Sequence, residues 1–287
     1  MSLTHPLEIP NRVTVSAGSG DLPKVTVSTP WSSAEIYLHG AHVTHYQKNG
    51  EAPLLFISSA SEFSLGKPIR GGIPIIFPWF GGRERFPAHG YARTAEWDLT
   101  DATVDSTETV KLRFQLSGTD DFDVSYIVTV GETLSLELVV RNIGNEKATF
   151  ENCLHTYFQI GSIDTVSAHG LTGCNYLDKV LNGEFVETFE AIRITGEVDR
   201  VYFDTSASVE IADPTLSRRI LVRKLGSDST VVWNPWISKS KAMPDFGDEE
   251  YLQMICVESG NVGKNQITLP PGESSVLKVE LSSSSSD

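Results

Sequence analysis

Long apolar runs are missing from this 287-residue chain. Nothing approaches the roughly 18 residues that a membrane-crossing helix needs, and the opening MSLTHPLEIP has neither the basic flank nor the apolar segment of a signal peptide. Cysteine is scarce. Cys153, Cys174 and Cys256 form an odd set without a CxxC, and no N-x-S/T sequon occurs, so a reducing, cytoplasmic setting is expected rather than a disulfide framework. Positive charge is short as well: 23 Lys and Arg stand against 37 Asp and Glu, a formal net charge of −14. That balance excludes the broad basic surface required for nucleic acid or an anionic membrane, though not a small anionic ligand. A P-loop, a dinucleotide fingerprint and a G-x-S-x-G nucleophile elbow are all absent.

What the chain does contain is period-two alternation. Leu112, Phe114 and Leu116 alternate with Lys111, Arg113 and Gln115, while Leu134, Leu136, Leu138 and Val140 share one face of TLSLELVV. Similar short stretches recur along the chain, separated by turn signals such as NIGN, LNGE and PPGES. The pattern predicts an all-β, antiparallel domain of two packed sheets with few short helices. No internal repeat and no linker divides it, so residues 1–281 are read as one domain and the Ser-rich 282–287 as a disordered tail. A monomer is expected.

Several segments carry residues suited to chemistry. In ENCLHTYFQI, alternation places Cys153, His155 and Tyr157 on one face. In EYLQMICVESG, Glu258 continues the face of Leu252, Met254 and Cys256; if that face is internal, desolvation raises its pKa and strengthens it as a base. AHGYAR offers His89 and Arg93 beside glycine, and VDRVYFD offers Asp199 and Asp204 around an aromatic strand. Between Lys67 and Arg93, five basic residues (Lys67, Arg70, Arg83, Arg85, Arg93) face the single acid Glu84. The stretch RGGIPIIFPWFGG, residues 70–82, is apolar yet cut by Pro74 and Pro78, so it reads as a stiff wall rather than a ladder strand. His39, His42 and His45 do not converge under strand alternation and predict no metal site. WNPW suits either sugar stacking or a core edge.

Taken together, RGGIPIIFPWFG, HGYAR, LHTYF, DRVY, VVWNPW followed by KAMPDF, and ICVESG resemble the hexose-6-phosphate mutarotases of the aldose 1-epimerase group. The resemblance implies a galactose mutarotase-like β-supersandwich and cofactor-free, metal-free interconversion of the α and β anomers of a sugar phosphate. It also implies His155 and Glu258 as the acid and base, with Arg70, His89, Arg93 and Asp199 contacting substrate. Ala88 departs from relatives with glutamine before the HG. Ring opening needs a base at the C1 hydroxyl and an acid at the ring oxygen, roles that Glu258 and His155 would divide, with His155 starting protonated beside a carboxylate. Arg70 and Arg93 would take the phosphate, with Lys67, Arg83 or Arg85 as auxiliaries. A mutarotase of unphosphorylated aldoses and a non-catalytic sugar-phosphate-binding module remain alternatives.

Overall fold

Alternating sequences become strands here because each buries one row of side chains and leaves the other wet. The computed structural model describes residues 5–286. A nine-stranded antiparallel sheet runs from Ala191–Ile192 through Ser167–His169, Val209–Asp213, Arg218–Leu225, Ser274–Ser285, Leu134–Asn142, Phe122–Val130 and Val110–Leu116 to Trp97–Val104. Leu112, Phe114, Leu136, Leu138 and Val140 are fully buried, as their period requires. Fully burying a side chain of this size contributes roughly 1.5–3 kcal/mol. The only α-helix among the described residues is Trp236–Ala242.

The second large sheet, of eight strands, positions the chemistry. Its order is Gly183–Val186, Asn175–Asp178, Val198–Phe203, Ser229–Asn234, Met254–Asn261, Asn152–Leu154 and Ile75–Ile76, with Tyr157–Gln159 also pairing to Met254–Asn261. One face of this sheet enters the main core: Leu154, Phe158, Val232, Ile255 and Val257 pack in one cluster with Phe114, Leu136 and Leu277 of the nine-stranded sheet. The opposite face carries a separate cluster that includes Cys153, Tyr157, Val231, Trp233, Met254 and Cys256.

Two expectations from sequence change. The apolar wall contains a two-residue strand, Ile75–Ile76, which ends the sheet by pairing with Cys153 and Leu154. Pro74 and Pro78 bracket it, and because neither has a backbone donor the ladder stops there. The tail is not disordered over 282–285: Ser282 to Ser285 pair with Leu221 to Arg218, so the ladder satisfies a backbone that the side chains alone would leave in solvent. Asp287 lies outside the described residues.

Arg70 enters the fold through a backbone that only glycine accepts easily. Gly71 and Gly72 have φ of 108° and 60°, and a Cβ on Gly72 would lie 2.4 Å from the Val43 carbonyl oxygen. We expect Gly72→Ala to lower stability by about 2 kcal/mol or more in urea unfolding. Gly82→Ala, where a Cβ meets open space, is expected to stay within about 0.5 kcal/mol of the parent.

Candidate active site

Strand register brings the two ends of the candidate acid–base pair together. Leu154 pairs with Ser259 and Tyr157 pairs with Cys256, so the same register carried across the intervening residues sets His155 opposite Glu258. Side chains directly opposite in an antiparallel pair have Cβ atoms about 4.5–5.5 Å apart. His155 Nδ1 lies 3.2 Å from Glu258 Oε1. At this point the ladder yields to the wall, because the His155 amide donates to the Pro74 carbonyl instead. The face assignments made from alternation hold: Cys153 and Tyr157 lie with Cys256 in the cluster behind the site, and Glu258 is 1% exposed rather than emerging into solvent.

Burial sets the electrostatics of the pair. It pushes the Glu258 carboxyl well above the usual range, and the Asp199 charge adds to that; Lys179 and the Cys153 thiol act the other way. The thiol donates to Glu258 Oε2 over 3.5 Å. Burial pushes the His155 imidazole well down, assisted by His89, Arg70 and Arg93. The Nδ1–Oε1 approach is close but out of line for a hydrogen bond, and Nδ1 is buried without a partner. A neighbouring carboxylate was expected to hold His155 protonated; desolvation outweighs it, and both groups favour their neutral forms.

These residues face a cavity of about 330 Å³, a size suited to a small ligand. Arg70, His89, His155, Asp199 and Glu258 all line it, together with Phe80, Tyr157 and Trp233. Arg70 is already engaged: its Nε and Nη2 donate to Asp245 at 2.9–3.2 Å and its Nη1 to the Tyr157 hydroxyl at 3.0 Å. His89 has φ of 66° and accepts from the Gly81 amide through Nδ1, while its backbone amide donates to Gly81 O. Burial lowers its pKa to about 3.

Arg93 is not among the residues lining this cavity. Its Nη2 donates to Ala88 O, its Nε is buried without a partner, and its charge reaches His42, His89, His155 and Arg70. The proposed auxiliaries lie outside the cavity as well. The Lys67 and Arg85 side chains are 61% and 87% exposed, and Arg83 stacks over Trp79. Of the two aromatic residues that follow Pro78 in the wall, Phe80 reaches the cavity and Trp79 does not.

A family model described as aldose 1-epimerase matches residues 23–282. The chain belongs to the aldose 1-epimerase family. A relative from Cenchrus ciliaris is 37% identical over 87% of this chain and 80% of its own, and one from Salmonella typhimurium is 34% identical over 83% of each. Both carry the name "Putative glucose-6-phosphate 1-epimerase". A solved structure from Salmonella typhimurium, described as "a putative mutarotase (YeaD)", superposes with a TM-score of 0.89 at 29% identity, covering 97% of this chain and 95% of that one. A galactose mutarotase-like protein from Clostridium acetobutylicum, at 14% identity, shares the fold with a TM-score of 0.73 over 95% of this chain and 98% of its own.

In this aldose 1-epimerase family member the cavity also holds residues that sequence reading missed. Lys179 and Lys239 line the cavity, 3.5 Å and 3.9 Å from opposite oxygens of Asp199. Neither lysine sits in a marked pattern. Lys179 reaches the site because its amide extends the sheet by donating to Asp199 O, and Lys239 because the single helix follows WNPW. Asp245 did have a signal, since it lies within the quoted KAMPDF. His39 and His42 are structural: their Nε2 atoms meet the carbonyls of Lys67 and Gly71 at 2.7 Å and 2.8 Å, fixing the segment that carries Arg70. Since a carbonyl only accepts, Nε2 carries the proton in each.

Burial lowers the His42 pKa from 6.5 to about 3. The unfolded chain therefore binds more protons between those values, and stability present above pH 6.5 is lost as pH falls through that window. Glu258, shifted upward, has the opposite sign: its contribution is present below the usual carboxylate range and lost as pH rises. For one ring that stays neutral, the loss between pH 7 and 5 is about 2 kcal/mol. Urea unfolding at the two pH values is expected to show His42→Gln losing less stability on acidification than the parent by about that amount.

Proposed function

We propose that this protein interconverts the α and β anomers of a hexose 6-phosphate, glucose 6-phosphate foremost, with Glu258 as base and His155 as acid. The reading is carried by the 3.2 Å approach of His155 Nδ1 to Glu258 Oε1 beside a cavity that also presents Arg70, Lys179 and Lys239. Moving one proton from Glu258 to His155 creates a carboxylate and an imidazolium together. Substrate binding favours that transfer, because phosphate brings a charge of about −1.5 to −2 close to the imidazole.

With Nδ1 turned to Glu258, Nε2 is left for the substrate. Glu258 takes the proton of the C1 hydroxyl while Nε2–H gives one to the ring oxygen; the C1–ring oxygen bond breaks and C1 becomes an aldehyde. Rotation about C1–C2 presents the other face. Closure returns the ring-oxygen proton to His155 and the Glu258 proton to O1, so the pair ends as it began. Only proton transfers are needed, each typically contributing roughly 10²–10⁴ in rate. His89, edge-on to His155 at 6.0 Å between ring centres, and Asp199 are positioned to hold sugar hydroxyls. We place the phosphate with Lys179, Lys239 and Arg70, with Arg93 as a further positive charge near Arg70 and Asp245. Three free thiols fit a reducing cytoplasm.

One observation favours an unphosphorylated aldose instead: Asp245 already neutralises Arg70, and Asp199 and Glu197 pair the lysines. Anomer exchange followed by NMR decides between them. We expect the wild type to accelerate exchange of glucose 6-phosphate more than that of glucose, and His155→Ala and Glu258→Gln each to lose about 10²–10⁴ of the acceleration. An exchange rate left at its buffer value would overturn the reading. Lys179→Ala should raise KM for glucose 6-phosphate about tenfold while leaving glucose turnover nearly unchanged.

A further inference from the structure

Directly behind the catalytic pair lies a thiol that proton transfer does not use. Cys256 is two residues before Glu258 on the same strand face and opposite Tyr157 in the register. Its Sγ, one His155 ring nitrogen and one Glu258 carboxylate oxygen all lie within 4.8 Å of one another. We propose that His155, Cys256 and Glu258 form a site for a thiophilic divalent cation, Zn²⁺ in the first instance, whose occupancy switches the enzyme off. The inhibitory consequence rests on the acid–base roles assigned above; the binding does not.

Three observations support the site. For tetrahedral zinc with bonds of about 2.0–2.1 Å to nitrogen and oxygen, the N–O edge is about 3.3 Å. His155 Nδ1 and Glu258 Oε1 are already 3.2 Å apart. With a Zn–S bond of about 2.3 Å the edges to sulfur are about 3.6 Å, which the thiol reaches by moving about 1 Å. Second, Nδ1 is buried without a hydrogen-bond partner, so a cation meets a lone pair that nothing else claims once the ring is the Nε2–H tautomer. Third, the donor set balances the charge. A thiolate, a carboxylate and a neutral imidazole bring −2 to a +2 ion, so the loaded site is neutral, which is what its burial tolerates. Binding releases the thiol proton and the proton of the pair to solvent, since the metal deprotonates a thiol that it coordinates. The fourth ligand comes from the cavity side as water. Cys153, which donates to the other Glu258 oxygen, stays outside the set.

Cd²⁺ is a spectroscopic stand-in for Zn²⁺, and its thiolate charge-transfer band reports coordination by sulfur. We expect the chelator-treated wild type to gain this band with one Cd²⁺ per chain and to lose mutarotase activity in parallel, in metal-buffered solution. Cys256→Ser should lose the band and, relative to its own metal-free rate, need on the order of tenfold more Cd²⁺ for half-inhibition. Cys174→Ser should behave as the wild type. A band that survives in Cys256→Ser, or a wild type without one at saturating Cd²⁺, overturns the site. A second readout needs no variant: with ¹⁵N-labelled histidine, Cd²⁺ should move the His155 Nδ1 resonance, and an unmoved resonance at saturation overturns the proposal. A chain that lacks mutarotase activity yet shows the band and the shifted resonance would retain the site and refute only the catalytic reading.

Discussion

The register between Met254–Asn261 and the broken strand 152–159 is the constraint on which the site depends. A proton-transfer pair needs heavy atoms at hydrogen-bond reach, about 2.6–3.2 Å, yet His155 and Glu258 are 103 positions apart in sequence. The ladder solves this with backbone geometry, since every pairing from Asn152↔Asn261 to Gln159↔Met254 keeps one offset. A slip of one residue would turn Glu258 toward the apolar core shared with the nine-stranded sheet. The buried row Leu154, Phe158, Ile255 and Val257 opposes such a slip, so the hydrophobic face that stabilises the sheet also fixes the acid–base pair.

That arrangement also explains why both groups are pushed toward their neutral forms. On the sheet face that holds the pair, the buried Cys153 and Cys256 pack against it, while Tyr157, Val231 and Trp233 join it in lining the cavity. Taken singly, a buried carboxylate or a buried imidazolium is unfavourable. Placed together they can exchange a proton without changing total charge, and the ionised state that the proposed mechanism calls for is reached by moving a proton a short distance rather than by drawing one from solvent.

The legible part of the sequence was the part governed by period and by local chemistry. Alternation gave the strands, the shared face of Cys153, His155 and Tyr157, and that of Met254, Cys256 and Glu258, because side-chain direction in a strand is a local property. His155, Glu258, Arg70, His89 and Asp199 came together as the motifs implied. Arg93, carried by the Ala92–Thr94 turn, does not line that cavity: its guanidinium donates to Ala88 O, and its charge acts on Arg70 and His155. Lys179 and Lys239 were silent because their place depends on which strand lies beside which, and no short-range pattern encodes that. The serine tail was misread for a related reason: composition describes side chains, whereas a waiting edge at Arg218–Leu225 engages the backbone.

The pairing of Arg70 with Asp245 bears on residence time. A guanidinium held in advance by a carboxylate does not wait as a free charge, so an arriving anion must exchange with Asp245 or share Arg70 with it. Part of the attraction is thereby returned, and a site that would otherwise hold a dianion tightly releases it more readily. For the proposed reaction, whose substrate and product differ only at C1 and carry the same phosphate, tight holding would slow departure as much as it aided arrival. On the proposed function, the ion pair of Asp245 with Arg70 is a built-in competitor that would keep the anion's dwell short.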